Sequence, residues 1–224
     1  MLNFKQFFEN KLTLQYHDEL NPKLWKDKHL DPEIRNHLLK IAEAWRDFAN
    51  IPKSAISDIF FTGGNANFNY TKYSDIDIHL IVNKKKIADC KVLDDYLTDK
   101  KTLWTLNHDV KVTGYPVELY AQDINEKTPS NQGVFSLKQN KWIIEPKKVA
   151  VDYNDQYLLK KINHYKHMIE HFIKSKSDDV LKMKAFKEKF RLARKSAIAR
   201  GGEFSLENLA FKELRNRGYL DKFT

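Results

Sequence analysis

Phe60-Phe61-Thr62-Gly63-Gly64, followed ten residues on by Ser74-Asp75-Ile76-Asp77-Ile78-His79-Leu80-Ile81-Val82, decides how this chain is read. An apolar run enters a glycine pair, a polar connection rich in Asn and Tyr follows, and a second apolar run carries carboxylates on alternate residues. Side chains alternate faces along a strand, so Asp75, Asp77 and His79 point one way and Ile76, Ile78 and Leu80 the other. The apolar face belongs to a core. The opposite face holds two carboxylates about 6–7 Å apart along the strand. Their repulsion calls for a counter-charge, and a hard divalent cation prefers such oxygen ligands. Gly63 and Gly64 lack Cβ, so the chain can turn sharply there and bring backbone N–H groups close to a phosphate. A triphosphate beside a metal-holding Asp pair outlines a phosphoryl-transfer site. His79 shares the carboxylate face, but a lone strand histidine is read as structural and stays outside the site.

Working outward, the segment before this stretch predicts a helix from Asp31 to about Asn50. Asp31 is its N-cap, Pro32 takes the first helical position and Glu33 the first turn. Ile34, Leu38, Ile41, Trp45 and Phe48 form its buried stripe. Strands are expected at 58–62 and 75–83, a helix at 86–106, strands at 109–113 and 117–121, and a hairpin at 134–144 turning at Gln139-Asn140. Tyr70 and Tyr73 could stack on a base or pack as loop residues. Lys84-Lys85-Lys86 reads as a solvated face, with contact to phosphate or RNA as the alternative. At the start of the chain, residues 3–12 predict a short amphipathic helix packed on this domain through Phe4, Phe7 and Phe8. The fold class is α+β, a mixed sheet flanked by helices over 1–150.

Beyond Pro146 no strand signal remains. Leu158, Ile162, Tyr165, Ile169 and Phe172 repeat at helical spacing, as do Met183, Phe186, Phe190, Ala193 and Ala197. Ser177, Asp178 and Asp179 are placed to cap the second of these helices, and Gly201-Gly202 to end it. Ser205 caps a last helix ending at Gly218. Residues 151–224 therefore form an all-helical domain. It holds 17 Lys and Arg against 10 Asp and Glu, net +7 of the chain's +9. Lys184, Lys187, Arg191 and Arg194 make a basic stripe. It reads either as a solvated helix face or as a surface lining the cleft, holding the triphosphate or an acceptor backbone.

The Thr62-Gly63-Gly64 and Asp75-Ile76-Asp77 pair resembles the signature of the DNA polymerase β-like nucleotidyltransferase superfamily, in which a third carboxylate follows on a later strand. Glu118 in Tyr115-Pro116-Val117-Glu118-Leu119-Tyr120 matches that third position, because it faces away from Val117 and Leu119. The pattern departs in two places. Gly64 stands where aminoglycoside-modifying members carry Ser, as in CCA-adding enzymes. Asn65 and Asn67 follow the glycines where many members have Arg. Leu30-Asp31-Pro32-Glu33-Ile34-Arg35, Lys100-Lys101-Thr102-Leu103-Trp104, Val117-Glu118-Leu119-Tyr120 and Gly201-Gly202-Glu203-Phe204-Ser205 resemble uncharacterised nucleotidyltransferases of tailed phages.

The resemblance implies a nucleotidyltransferase. Asp75, Asp77 and Glu118 would hold Mg²⁺ or Mn²⁺, and Gly63, Gly64 and Ser74 would contact phosphate. Lys184, Lys187 and Arg191 would add charge from the helical domain, which in such enzymes commonly closes the cleft. The substrate is a nucleoside triphosphate. The basic helical half favours RNA or tRNA as acceptor, with a small hydroxyl-bearing molecule or a protein side chain as alternatives. A reading from another class is a non-catalytic nucleic-acid or protein-binding module on the same fold. One cysteine, Cys90, fits a reducing cytoplasm, the host's if the chain is phage-encoded. No apolar run reaches membrane-spanning length, and the apolar part of residues 1–10 is too short for a signal peptide.

Overall fold

The structure, a computed structural model, describes residues 12–14, 16–88, 90–128, 132–148, 151–152, 154–174 and 180–221. Contacts divide the chain into two compact units, one spanning 16–149 and the other 150–224 with the start of the chain.

In the first unit a small hairpin comes first, β1 (Trp25–Lys26) and β2 (His29–Leu30). Then follow α1 (Pro32–Phe48), β3 (Ile56–Thr62), β4 (Ile76–Val82), α2 (Leu93–Asn107), β5 (Lys111–Val112), β6 (Tyr115–Asp123), β7 (Val134–Ser136) and β8 (Lys141–Ile144). Six strands form one sheet in the order β5-β6-β4-β3-β7-β8. The β4–β6 pair is parallel and the other pairs are antiparallel. The sheet is therefore mixed and the class α+β, as the sequence predicts.

Asp31 caps α1 by accepting from Glu33 N–H at 2.9 Å and Ile34 N–H at 3.1 Å. The helix buries Ile34, Leu38, Ala42 and Trp45, while the predicted Ile41 and Phe48 are half-buried at the stripe's edge. Leu38 and Trp45 share a core with Phe61, Ile76, Ile78, Leu80 and Leu119. Burial of each such side chain contributes about 1.5–3 kcal/mol, and this commits β4 to one orientation, because a one-residue slip would move its apolar set to the other face. Trp25 of the hairpin stacks on Phe61 and on Trp142 at 5.3 and 4.8 Å between ring centres. A buried polar fastener ties β3 to the β7–β8 hairpin. Asp58 accepts from the Ser136 hydroxyl at 2.7 Å, Gln139 Nε2 at 2.6 Å and Ile59 N–H at 2.7 Å.

Several predicted boundaries move. The helix expected from residue 86 starts at Leu93, and Lys84–Lys86 instead form a 3₁₀ turn in which Lys84 pairs with Asp94 at 2.5 Å. β6 begins at Tyr115, because Thr113 (φ 50°) and Gly114 (φ 88°) make a two-residue turn with both φ positive. The predicted hairpin at 134–144 is present as β7 and β8.

The second unit comprises α3 (Gln156–Lys174), α4 (Val180–Gly201) and α5 (Leu206–Asn216). Leu158, Ile162, Ile169, Phe186, Phe190, Leu209, Ala210 and Leu214 form its core, joined by Leu12 and Leu14. Fully buried Glu213 accepts from Thr13 N–H at 2.9 Å, Thr13 Oγ1 at 2.7 Å and Arg217 Nε at 2.5 Å. Apart from Leu12, the helix expected over 3–12 lies outside the described residues, as do the caps expected at Ser177, Asp178 and Asp179. Ser205 stands at the N-cap of α5, but its buried hydroxyl makes no cap hydrogen bond. Among the described residues no helix is long and apolar enough to cross a membrane.

Lys161 Nζ lies 2.5 Å from Glu207 Oε1, both side chains being about one-quarter exposed. That ammonium, by hydrogen bond first, holds the Glu207 carboxyl below the ordinary glutamate value. The folded carboxylate binds its proton less tightly than the unfolded one. Its stabilisation is complete above the ordinary glutamate range and is lost as pH falls through and below it. Lys161→Met should cost about 1 kcal/mol at pH 7 and make little difference near pH 3, as urea unfolding at the two pH values would measure.

Candidate active site

Register brings the carboxylates together. Asp77 on β4 sits opposite Thr62 on β3 and opposite Glu118 on β6. Asp75, just before β4, lies on the same face by alternation, and burial along 74–80 alternates as that requires. One oxygen from each of Asp75, Asp77 and Glu118 lies within 4.8 Å of the others. Asp75 and Asp77 are half-buried and Glu118 is exposed. Three convergent carboxylate oxygens make an all-oxygen donor set, which suits Mg²⁺ or Mn²⁺ better than softer ions.

The glycine turn is built against this cluster. Gly63 has φ 75° and ψ −166°, and Gly64–Ala66 form a 3₁₀ turn directly after it. A Cβ on Gly63 would lie 1.7 Å from Asp77 Oδ2, so the backbone here passes directly against the carboxylate. Ser74 is buried, accepts from Thr71 N–H at 2.9 Å and lies against Gly64, where a Cβ would meet its hydroxyl oxygen at 2.9 Å.

Two asparagines hold the turn. Asn65, with no exposed surface, donates to the Asp75 carbonyl at 2.9 Å and accepts from Asn21 Nδ2 at 2.8 Å, while its own carbonyl accepts from Trp25 Nε1 at 2.7 Å. Asn67 donates to Gly63 O at 2.7 Å and accepts from Gly133 N–H at 2.8 Å. Thr62 Oγ1 donates to Gly133 O at 3.0 Å. Asn65 and Asn67 are thus fasteners of the loop.

Lys101, not among the site residues expected from sequence, reaches the cluster. Its Nζ is 3.1 Å from Glu118 Oε2, with the two side chains 35% and 47% exposed. β5 pairs with β6 only at Tyr115 and Pro116. From Glu118 onward β6 is therefore the sheet's edge, where Lys101 on α2 can meet it. The only signal in the sequence is the position of Lys101 on the helix before the Glu118 strand. His79 lies one residue pair farther along the same face. Its Nδ1 donates to Gln122 Oε1 at 2.8 Å, since Gln122 Nε2 is turned to Glu126 O and Thr128 Oγ1. Burial lowers its pKa, which favours the neutral ring. Tyr70 stacks on His17 at 3.9 Å, the packing alternative for that residue.

The remaining predicted residues lie on α4 in the helical unit. Lys184 and Arg191 are exposed and Lys187 is half-buried. Arg191 makes a paired contact with Glu188, at 2.8 and 2.6 Å. Arg194 bonds Asn208 Oδ1 at 2.8 Å and covers the Phe211 ring.

No family model and no curated protein matches the chain. Among solved structures it is similar to a STING-associated CdnE c-di-GMP synthase from Capnocytophaga granulosa. The likeness is 15% identity over 85% of this chain and 63% of that one, with a TM-score of 0.21. So slight a likeness carries no argument, and the chain spans less than two thirds of that protein's length.

Proposed function

We propose that the chain is a metal-dependent nucleotidyltransferase of the polymerase β-like kind. It would transfer a nucleoside monophosphate from a nucleoside triphosphate to an acceptor hydroxyl and release pyrophosphate. The observation carrying this reading is the convergence of Asp75, Asp77 and Glu118 oxygens within 4.8 Å, with the Gly63 backbone laid against Asp77. Mg²⁺ or Mn²⁺ bound there, by a two-metal mechanism, would supply positive charge for the acceptor oxygen and the triphosphate. Asp75 and Asp77 hold that charge from β4, and Glu118 completes the set from β6. Glu118 is also the exposed carboxylate of the three, suited to take the acceptor's proton. Gly63 and Gly64 would offer backbone N–H groups to phosphate, with Ser74 lying against Gly64. α4 carries eight Lys and Arg against one Glu. This density suits the backbone of an RNA acceptor, with Lys184, Lys187 and Arg191 among the contacts.

The test is incubation with each α-labelled nucleoside triphosphate and Mg²⁺, offering cellular RNA, protein and metabolites as separate acceptor pools. Label should enter the RNA pool with wild type and fall by about a thousandfold with Asp75→Asn/Asp77→Asn. Label in protein or metabolites would keep the transferase and replace the acceptor. No label in any pool, together with no metal-dependent nucleotide binding, would leave a non-catalytic binding module.

A further inference from the structure

Lys101 is a fourth charged group at the carboxylate cluster. It comes from α2, an element that supplies none of the three carboxylates. Its ammonium touches Glu118 Oε2 at 3.1 Å, and its positive charge also acts on His79, one residue pair along the same face. Glu118 therefore has two claimants, an ammonium and a divalent ion. A carboxylate oxygen facing a metal cannot at the same time hold Lys101 at hydrogen-bond distance without placing two positive charges against each other.

Resting on the transferase reading, we propose that Lys101 is the resident counter-ion of Glu118 and competes with the divalent cation for it. The ammonium offsets part of the repulsion among the three carboxylates, which lowers the affinity of the site for metal alone. A nucleoside triphosphate brings several negative charges to the same face. These offset the ammonium once metal has displaced it from Glu118, so metal binds better with nucleotide than without. By linkage, nucleotide binding gains from metal by the same factor. Lys101 thus acts as a positioning residue that couples the arrival of the two ligands.

The decisive measurement is binding of Mn²⁺ alone to the full chain, read by the loss of the free-ion EPR signal. It compares wild type, Lys101→Gln, Lys101→Met and the control Lys100→Gln. Lys100 is the adjacent lysine and lies over the Phe48 and Tyr96 rings, at 5.0 and 5.4 Å. Its loss removes the same net charge from the same helix. Lys101→Gln and Lys101→Met should each tighten Mn²⁺ about fivefold, with Lys100→Gln within twofold of wild type. Addition of a non-hydrolysable triphosphate should tighten Mn²⁺ more in wild type than in the Lys101 variants. Unchanged or weaker binding in both Lys101 variants, or equal tightening in Lys100→Gln, would overturn the competition while leaving the transferase reading in place. Absence of Mn²⁺ binding in all four proteins, folded by circular dichroism, would overturn the metal site and this inference with it.

Discussion

Gly63→Ala is expected to weaken Mn²⁺ binding by at least about tenfold and to lower stability by about 1–3 kcal/mol. Both effects come from one added carbon. At φ 75° and ψ −166° the residue occupies a region open almost solely to glycine, so alanine strains the backbone whatever surrounds it. The new Cβ would also stand 1.7 Å from Asp77 Oδ2 and 2.6 Å from its carboxyl carbon. No rotation of the turn alone relieves that, because Asn67 holds the Gly63 carbonyl at 2.7 Å. Asp77 must move, and it sits between Thr62 and Glu118 in the register. Gly64→Ala provides the contrast. Its Cβ would meet the Ser74 hydroxyl oxygen at 2.9 Å, and that side chain can yield. Mn²⁺ affinity should then stay within about threefold of wild type. Thermal melting together with Mn²⁺ titration separates the two variants.

Asn65→Ala should cost about 2–4 kcal/mol in urea unfolding, and the surviving fold should bind Mn²⁺ more weakly. Asn65 is wholly buried and links two segments through its amide. Without it, buried Asn21 loses the acceptor for its Nδ2, and the Asp75 carbonyl loses a donor at 2.9 Å. Leaving a buried donor unmet is the costly case for a deleted hydrogen bond. The Trp25 indole contact runs to the Asn65 backbone carbonyl and survives the substitution. The loss is therefore concentrated at the start of β4, where the first carboxylate of the cluster, Asp75, is set. A variant that unfolds at wild-type urea concentration and binds Mn²⁺ equally would show that the turn is held by other means.

The parts of this site that were readable in sequence are those fixed by strand alternation. Asp75, Asp77 and Glu118 needed only a period of two and a partner strand, and pairing supplied the rest. Asp31 was readable because an Asp followed by Pro and Glu marks a helix start, and it caps as expected. The β1–β2 hairpin left no such mark. Its strands are two residues long, and its turn uses Asp27 and Lys28 with φ of 47° and 62° in place of glycine. Lys101 was out of reach for another reason. Whether a lysine on a helix faces water or a carboxylate depends on which strand lies beside it, and that is a property of the sheet order. Asn65 and Asn67 stood out in the sequence beside the glycine pair, yet their work, bonding to chain segments distant in sequence, could not be read there.

The one parallel pairing in the sheet also bears on how the protein reaches its folded form. β3 and β4 are joined by a far shorter connection, residues 63–75, and can zip together earlier, with Asp77 already in place beside Thr62. Glu118 arrives only after roughly forty residues, including α2, have crossed to the other side of β4. Closing a long loop before its contacts form is slow. The third carboxylate, and Lys101 with it, should therefore join late. Divalent ions should accordingly slow unfolding more than they speed refolding, because the species that first collapses offers them two carboxylates and the native one three.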